Sequence, residues 1–578
     1  MEYRVGNRRS IKPLFNKGSS KSRLNFPETL TCLPTSNTTL SHGDLRRAPS
    51  KRFSIMIAYR FLEHLLITTK AISSDITIKE MTLFVALLIF GIFTAFRTCT
   101  VTLERRRLSA FATAHNCAQP PTIPGTFLSG IMHKWKRLSQ RGDIFNVYMN
   151  SMFVKHGPTH AVVSPITGTT KTLYTIQPEN VKTMLSTKFS DYHRPRTMPN
   201  ALDPVMGQGV FTSNGAEWAH SRALVRAQFS GKRVKDVAKL GRHMRNAFTA
   251  LEQGEDTGPG EWTKEQEILL VLNRFTLDSA TEFMFGTSTG SHELFMSERS
   301  GKFLAANGGA EKGWKLNRYK RILSDFATAF DLALDYVALR LKLGRLWFLA
   351  DSFAFRLACY KVQSYADNYI QEAVAHAAAA KAAYEQDGEN DFIALDDRKY
   401  GLISELVESY PDKVALRNQV LQVLVAGRDT TAASITWALI LLDAHPDTFA
   451  RLRDEITRMF GTESKPCLPV TYENLRSCAL LQHTIFEVLR LYPTGPLNAR
   501  KATVDTILPV GGGAHGKSPI AVPKGATVAF NSYLMHRWEE CWGADSWEFN
   551  PDRWEGKRAG WEYIPFHGGP QTCLGRKF

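Results

Sequence analysis

The chain has 578 residues, of which 43% are hydrophobic and 22% charged, and its formal net charge is +17. That length allows a large core in one or several domains, and the composition excludes a disordered polymer. Residues 1–52 hold eleven Lys/Arg against Glu2, Glu28 and Asp44, so the charge left elsewhere is a mildly basic surface. It suits an acidic protein partner or anionic lipid, and no nucleic-acid partner is expected.

Along the chain, 1–52 is rich in Ser, Thr, Asn, Arg and Lys without an apolar period and reads as a basic disordered tail. A transit-like leader and an over-extended reading frame both fit it. Residues 53–80 open with an apolar run from Phe53 to Thr69 with sparse charges, which reads as an amphipathic membrane-surface segment. Met81 to Phe96 carries no charge and, extended to Leu103, gives a transmembrane anchor over 81–103. A buried core helix is the alternative. Arg105-Arg106-Arg107 favours a cytosolic C-terminal side, while the basic tail pulls the other way. Residues 104–125 end in Gln119-Pro120-Pro121-Thr122-Ile123-Pro124-Gly125, a basic and Pro-rich hinge that cannot be regular helix or an interior strand.

From 126 to 578 one large domain is expected, mainly α with small β-sheets. Thr172 to Ile176 reads as a strand, a helix opens near Pro178, and the Ala-rich stretch from Glu372 to Ala380 lies in a long helical middle. Glu385 to Asp397 reads as a polar loop, and strands return around Ile520 to Val528. The eight cysteines at 32, 99, 117, 359, 467, 478, 541 and 573 form no C-x-x-C pair. This argues against a disulfide framework or structural zinc and for a reducing compartment.

Four stretches stand out chemically. Trp218-Ala219-His220-Ser221-Arg222 places a ring and a cation one helical turn apart. Ala426-Gly427-Arg428-Asp429-Thr430-Thr431 lies inside a helix expected from about Leu416 to Leu442, which Val420, Leu421, Leu424 and Val425 before it and Ile435, Trp437, Leu439 and Ile440 after it mark as buried. A Gly and two Thr there cost helical stability and imply a local opening. Glu487 and Arg490 share one helix face at i, i+3, a weak signal alone. Phe566 to Phe578 forms a Gly/Pro-shaped loop presenting Cys573 before a helix start. Glycines there let the backbone approach a flat ligand, and N–H donors favour the thiolate.

The F-x-x-G-x-x-x-C-x-G loop at 566–575, with the three upstream motifs in this order, resembles the cytochrome P450 family of haem-thiolate monooxygenases. The resemblance covers about Pro120 to Phe578 and implies that family's fold behind an N-terminal membrane anchor. It implies haem b with Cys573 as proximal iron ligand and Phe566 as an apolar floor. Trp218, Arg222 and Arg500 become partners of the haem propionates, because a guanidinium pairs carboxylates in bidentate geometry. Asp429 and Thr430 become the pair that handles protons during dioxygen activation. Glu487, Arg490 and Arg553, the last in Phe549-Asn550-Pro551-Asp552-Arg553-Trp554, become a structural cluster. Gln571 stands where the family usually has Arg or His, so one charged propionate contact is expected to be neutral here.

Leu508 to Gly525, a glycine-rich insertion, Met535-His536-Arg537 and Gly209 to Gly215 resemble the fungal n-alkane and fatty-acid hydroxylase branch. The expected activity is hydroxylation of a long aliphatic chain. Electrons would come from an NADPH-dependent flavoprotein reductase, with cytochrome b5 as a second donor. A single-pass anchor in the endoplasmic reticulum with a cytosolic domain is expected. Two alternatives stay open: a tailoring oxidase of a polyketide or terpene pathway, and a non-catalytic relic. The relic arises because the family continues beyond the Cys loop with a helix and a hairpin, so a C-terminally truncated record or an impaired product is expected.

Overall fold

The computed structural model describes residues 78–124, 144–163, 170–229, 237–252, 266–291, 325–387, 403, 406–407, 412–462 and 464–577. The readings for 1–52 and 53–77 lie outside them, as does the part of the predicted polar loop after Asp387. The chain divides into two units, Met1–Ala95 and Phe96–Phe578.

Helix α1, Ile78–Ala114, contains the stretch expected to span a membrane. Among the described residues, Met81–Ala114 is the one helix long and apolar enough for that. Met81, Leu83, Phe84, Leu87, Ile89, Phe90 and Phe93, all in the first unit, are exposed, so this part of the helix is not a core element. The predicted hinge differs from the structure at both ends. The helix runs on through Arg105-Arg106-Arg107 to Ala114, since nothing before the prolines interrupts its backbone bonds. The proline segment is then stitched to sheets: Ala118 N–H donates to Pro519 (2.8 Å), Gly513 N–H to Gln119 (3.0 Å) and Ala161 N–H to Pro121 (2.8 Å). Proline lacks an N–H but keeps a carbonyl acceptor, so it serves at a sheet edge.

The strands, in order, are β1 (Thr122–Pro124), β2 (Thr159–Val163), β3 (Thr170–Thr175), β4 (Tyr192–His193), β5 (Gly461–Thr462), β6 (Lys465–Pro466), β7 (Leu497–Ala502), β8 (Thr506–Gly512), β9 (Ser518–Val522) and β10 (Thr527–Asn531). Six form a mixed sheet in the order β1-β2-β3-β10-β7-β4, and β5-β6 and β8-β9 are separate pairs. Within the large sheet β10 runs parallel to β3 and antiparallel to β7. The late strand region read around 520–528 is therefore two strands in two sheets, separated by the turn at Pro523-Lys524-Gly525, where Gly525 adopts φ +87.

The helical part is built on α2 (Gly215–Gln228), α3 (Ile268–Phe285), α4 (Phe326–Leu343), α5 (Phe353–Asp387), α6 (Lys413–Ala444) and α7 (Ala479–Leu491). Sequence sets their starts. Asp325 accepts from the N–H groups of Ala327 (3.0 Å) and Thr328 (2.8 Å), and Asp412 from Val414 (2.8 Å), satisfying donors that a helix leaves open. Helix α6 packs along α3, and α4 along α5. Their shared core includes Phe285, Phe326, Phe330, Phe355 and Leu421. A second core lies on the large sheet around Leu173, Met184, Leu185, Val528 and Phe530. Two expectations for α6 fail: Leu439 and Ile440 are nearly half exposed, because they fall on the face turned away from both neighbouring helices' core.

Candidate functional site

The Cys573 loop is short and heavily braced. Cys573 N–H donates to the Phe566 carbonyl (2.9 Å), closing the loop on itself. Gly569 has φ +64, and a Cβ there would collide with the Leu185 carbonyl; a Cβ on Gly568 would strike the Trp561 ring. The paired glycines thus admit neighbouring protein, not only a flat ligand as expected from sequence. Burial pushes the Cys573 thiol up, against the pull of the Gly575 and Arg576 N–H groups and the Arg222 cation. The expected donors are present, but burial outweighs them. The Cys573 side chain is nonetheless exposed. Phe566 is half-buried beside it.

Around this loop three guanidinium groups converge. Arg222 donates to the Thr572 carbonyl, next to Cys573, and lies over the Trp218 ring at 5.7 Å. Arg500 Nη2 donates to Gln571 Oε1 (2.6 Å) and meets His567 Nε2 at 2.9 Å. Arg194, which the sequence reading missed, donates to the Val210 carbonyl (2.6 Å). Burial and the Arg194 charge push Arg500 down to about 9, and burial and the Arg222 charge push Arg194 down to about 10. Among the described residues none of the three has a carboxylate partner. The Trp218 indole N–H and Arg500 Nε are buried without any partner.

Uncompensated buried cations are costly unless an anion joins them. Three cations and an orphaned indole N–H fit a ligand bearing two carboxylates, which the propionates of haem supply. Gln571 is not simply a neutral substitute for a charged contact: its carbonyl holds the Arg500 guanidinium in place. His567 is held down to about 3 by burial and by Arg500, so it stays neutral and adds no fourth charge.

The predicted structural cluster is assembled. Glu487, fully buried, accepts from Arg490 Nε (2.8 Å) and Nη2 (2.7 Å), Arg553 Nε (2.9 Å), Trp554 Nε1 (2.9 Å) and the Asn550 N–H (3.0 Å). Arg490 also donates to the carbonyls of His536 (2.7 Å) and Glu548 (2.9 Å), and Arg553 to Asp545 Oδ2 (2.8 Å). Trp554 and Asn550 were not foreseen as members, although both flank Arg553.

Helix α6 carries Asp429 and Thr430 on an exposed side, while Arg428 is buried on the opposite one. The predicted opening of the helix is absent: α6 is continuous. Instead the Thr430 hydroxyl donates to the Ala426 carbonyl (2.7 Å), the back-bond by which Thr relieves its misfit in a helix. Asp429 accepts from Arg428 Nη1 (2.8 Å); its side chain is 48% exposed, and the buried part of its surroundings, with the Asp331 charge, pushes its carboxyl up against the pull of Arg428. Two polar side chains join α6 to the cation site. Gln419 donates to Ser221 (2.8 Å) in the Trp218 helix, and Gln422 to the Gly207 carbonyl (2.9 Å). Cβ atoms on Gly207 and Gly209 would collide with Asn418 and Gln422. The Gly209–Gly215 phrase is thus glycine-led because side chains of α6 press on its backbone.

A helical body with an exposed thiol on a braced loop, beside a cradle for two carboxylates, fits a haem-thiolate protein. The family model for cytochrome P450 matches residues 120–578, and the chain belongs to that family. It is 35% identical over 474 residues to cytochrome P450 monooxygenase g430 of Fusarium sp, covering 82% of this chain and 78% of the relative. It is 36% identical over 408 residues to cytochrome P450 52-E3 of Starmerella bombicola (70% and 72%) and 36% identical over 432 residues to cytochrome P450 52A5 of Candida maltosa (74% and 75%). Among solved structures, the cytochrome P450DA heme domain aligns with TM-score 0.57 at 18% identity, over 80% of this chain and 88% of that one. The chain is an oxidoreductase of the monooxygenase kind, and haem with a thiolate on its iron is the cofactor. Enzymes of the family take electrons from a redox partner and act on apolar substrates.

Proposed function

We propose that this enzyme hydroxylates a long aliphatic chain, a fatty acid or alkane, at or near its end. The observation that carries this reading is branch similarity. The glycine-rich hairpin β8-β9 and the Gly209–Gly215 phrase resemble the fungal n-alkane and fatty-acid hydroxylases, and the cytochrome P450 52 relatives are all fungal.

Bound haem supplies the iron that activates dioxygen for insertion of one oxygen atom into a C–H bond. The residues have these roles. Cys573 would hold the iron as its thiolate, a form that the Gly575 and Arg576 N–H groups and the Arg222 cation favour. Arg194, Arg222 and Arg500 would hold the two carboxylates, with Trp218 adding an N–H and Phe566 an apolar wall. Asp429 takes up a proton from solvent and passes it toward the Thr430 hydroxyl. Glu487, Arg490 and Arg553 fix the chain before the Cys loop. Electrons come from an NADPH-dependent flavoprotein reductase, with cytochrome b5 as a second donor, on the basic surface. The enzyme is held by its anchor over 81–103 in the endoplasmic reticulum with the catalytic unit in the cytosol, a reading supported by the long apolar helix Met81–Ala114.

The test is a titration of the ferric enzyme with lauric, palmitic and oleic acids, hexadecane, and representative polyketides and terpenes. Low-spin to high-spin conversion by the aliphatic set, followed by terminal or near-terminal hydroxylation in the reconstituted system, is the expected result. Conversion only by polyketides or terpenes would replace this reading with a tailoring oxidase.

A further inference from the structure

Asp429 does not stand alone. Its partner Arg428 is buried, lies 5.4 Å from the Phe330 ring and also pairs with Asp331 Oδ1 of α4. The other Asp331 oxygen accepts from Arg274 Nη2 of α3 at 3.2 Å. Four charges of alternating sign, Arg274, Asp331, Arg428 and Asp429, therefore run across three helices. A fifth, Asp335, lies one turn beyond Asp331, and the charges of Asp331 and Arg428 act on it in opposite directions. None of Arg274, Asp331 or Asp335 belongs to a motif visible in the sequence.

We propose that Asp331 is a positioning residue for Asp429: it holds Arg428 so that the guanidinium is shared between two carboxylates and cannot turn wholly to Asp429. This inference rests on the proton-handling role proposed above for Asp429. An aspartate paired alone with a buried guanidinium stays ionised and gives protons poorly. Sharing the cation leaves Asp429 able to take up a proton, consistent with burial and the Asp331 charge both raising its carboxyl against the pull of Arg428. Arg274 is the counterweight, because it draws part of the Asp331 charge away from Arg428.

Opposite substitutions should therefore have opposite effects. In Asp331→Asn, Arg428 turns to Asp429 alone, and protonation of Asp429 weakens about tenfold, a midpoint about one pH unit lower. In Arg274→Gln, Asp331 grips Arg428 more fully and the midpoint rises.

The experiment is an infrared pH titration of the carboxyl band in the full-length holoenzyme, with Asp429→Asn subtracted to isolate the signal. It is accompanied by the pH profile of product formed per NADPH consumed. A lower midpoint in Asp331→Asn, a higher one in Arg274→Gln and a near wild-type one in Asp331→Glu support the proposal. Unchanged midpoints, or shifts in the same direction for Asp331→Asn and Arg274→Gln, overturn it. If Asp331→Asn fails to fold, the sign of the Arg274→Gln shift decides alone. Midpoints that move as expected while the pH profile stays fixed support the Asp331 coupling and overturn the role of Asp429 instead.

Discussion

Replacing Glu487 with Gln keeps the shape of the side chain and removes only its charge, and the consequence can be worked through. The carboxylate accepts five hydrogen bonds, four of them from side chains of Arg490, Arg553 and Trp554. Arg490 is fully buried and Glu487 is its carboxylate partner. Breaking a buried pair by neutralising one member costs about 3–5 kcal/mol, because the other charge is left uncompensated. Native domains have only ~5–15 kcal/mol in total. With an unfolding entropy of ~2.1 cal/mol/K per residue, a domain of roughly 450 residues loses about 1 °C per kcal/mol, so the melt should fall by about 3–5 °C. Haem retention should fall with it, since the cluster braces the segment leading to Cys573. Arg451→Ala is the control: its pair with Asp552 is exposed on both sides and should shift the melt by less than about 1 °C. Thermal melts and carbon-monoxide difference spectra of both variants decide the matter. A Glu487→Gln protein that melts within a degree of wild type and binds haem normally would refute the role of the carboxylate as hub.

Cys573→Ser should abolish the strongly red-shifted Soret band of the reduced carbon-monoxide complex while leaving the helical circular dichroism intact. Gly569→Ala should do the same for another reason, the collision with the Leu185 carbonyl at a positive φ, and should also lower haem retention during gel filtration. Arg194→Gln should speed haem transfer to apomyoglobin by about 10–100-fold, the worth of one charge-assisted hydrogen bond of ~1.5–3 kcal/mol. Stability should also fall in mild acid. His536 and His567 are held to about 3 and His160 to about 4, chiefly by burial, against the ordinary 6.5. Between those values the unfolded chain binds protons that the native state refuses. Their neutral-state stability is therefore complete above pH 6.5 and is lost as pH falls, at ~1.4 kcal/mol per pH unit for each histidine. Urea unfolding from pH 7 to 4.5 measures the slope, and His536→Gln should reduce it by about a third.

Local patterns carried much of this in the sequence. The i, i+3 spacing of Glu487 and Arg490 put the pair on one face, and Pro178 marked a helix start that the structure places at Pro178–Lys182. The motifs also singled out Cys573, Trp218 and Arg222, which the structure brings together around one loop. What sequence did not reveal was which distant groups those residues meet. Arg194 joins the cation cradle only because β4 pairs with β7, the strand that holds Arg500. Asp331 reaches Arg428 across almost a hundred residues, with no periodicity to announce it. The glycines of the Cys loop were legible as unusual, but their cause, the Leu185 carbonyl and the Trp561 ring, lies in tertiary packing.

The pairing of β10 with β3 has a consequence for how the molecule is made. Thr172 meets Thr527 and Thr175 meets Phe530 in a parallel register, so this sheet is closed by partners some 350 residues apart. During synthesis, at ~5–20 residues per second, β3 must wait roughly 20–70 seconds for its neighbour to leave the ribosome. For that interval its edge is an open template for the wrong strand, and closing so long a loop is slow in itself. Yield in a heterologous host should thus depend on chaperone supply and on growth temperature more than on haem supply, because the sheet has to close before the cation cradle exists to receive a porphyrin.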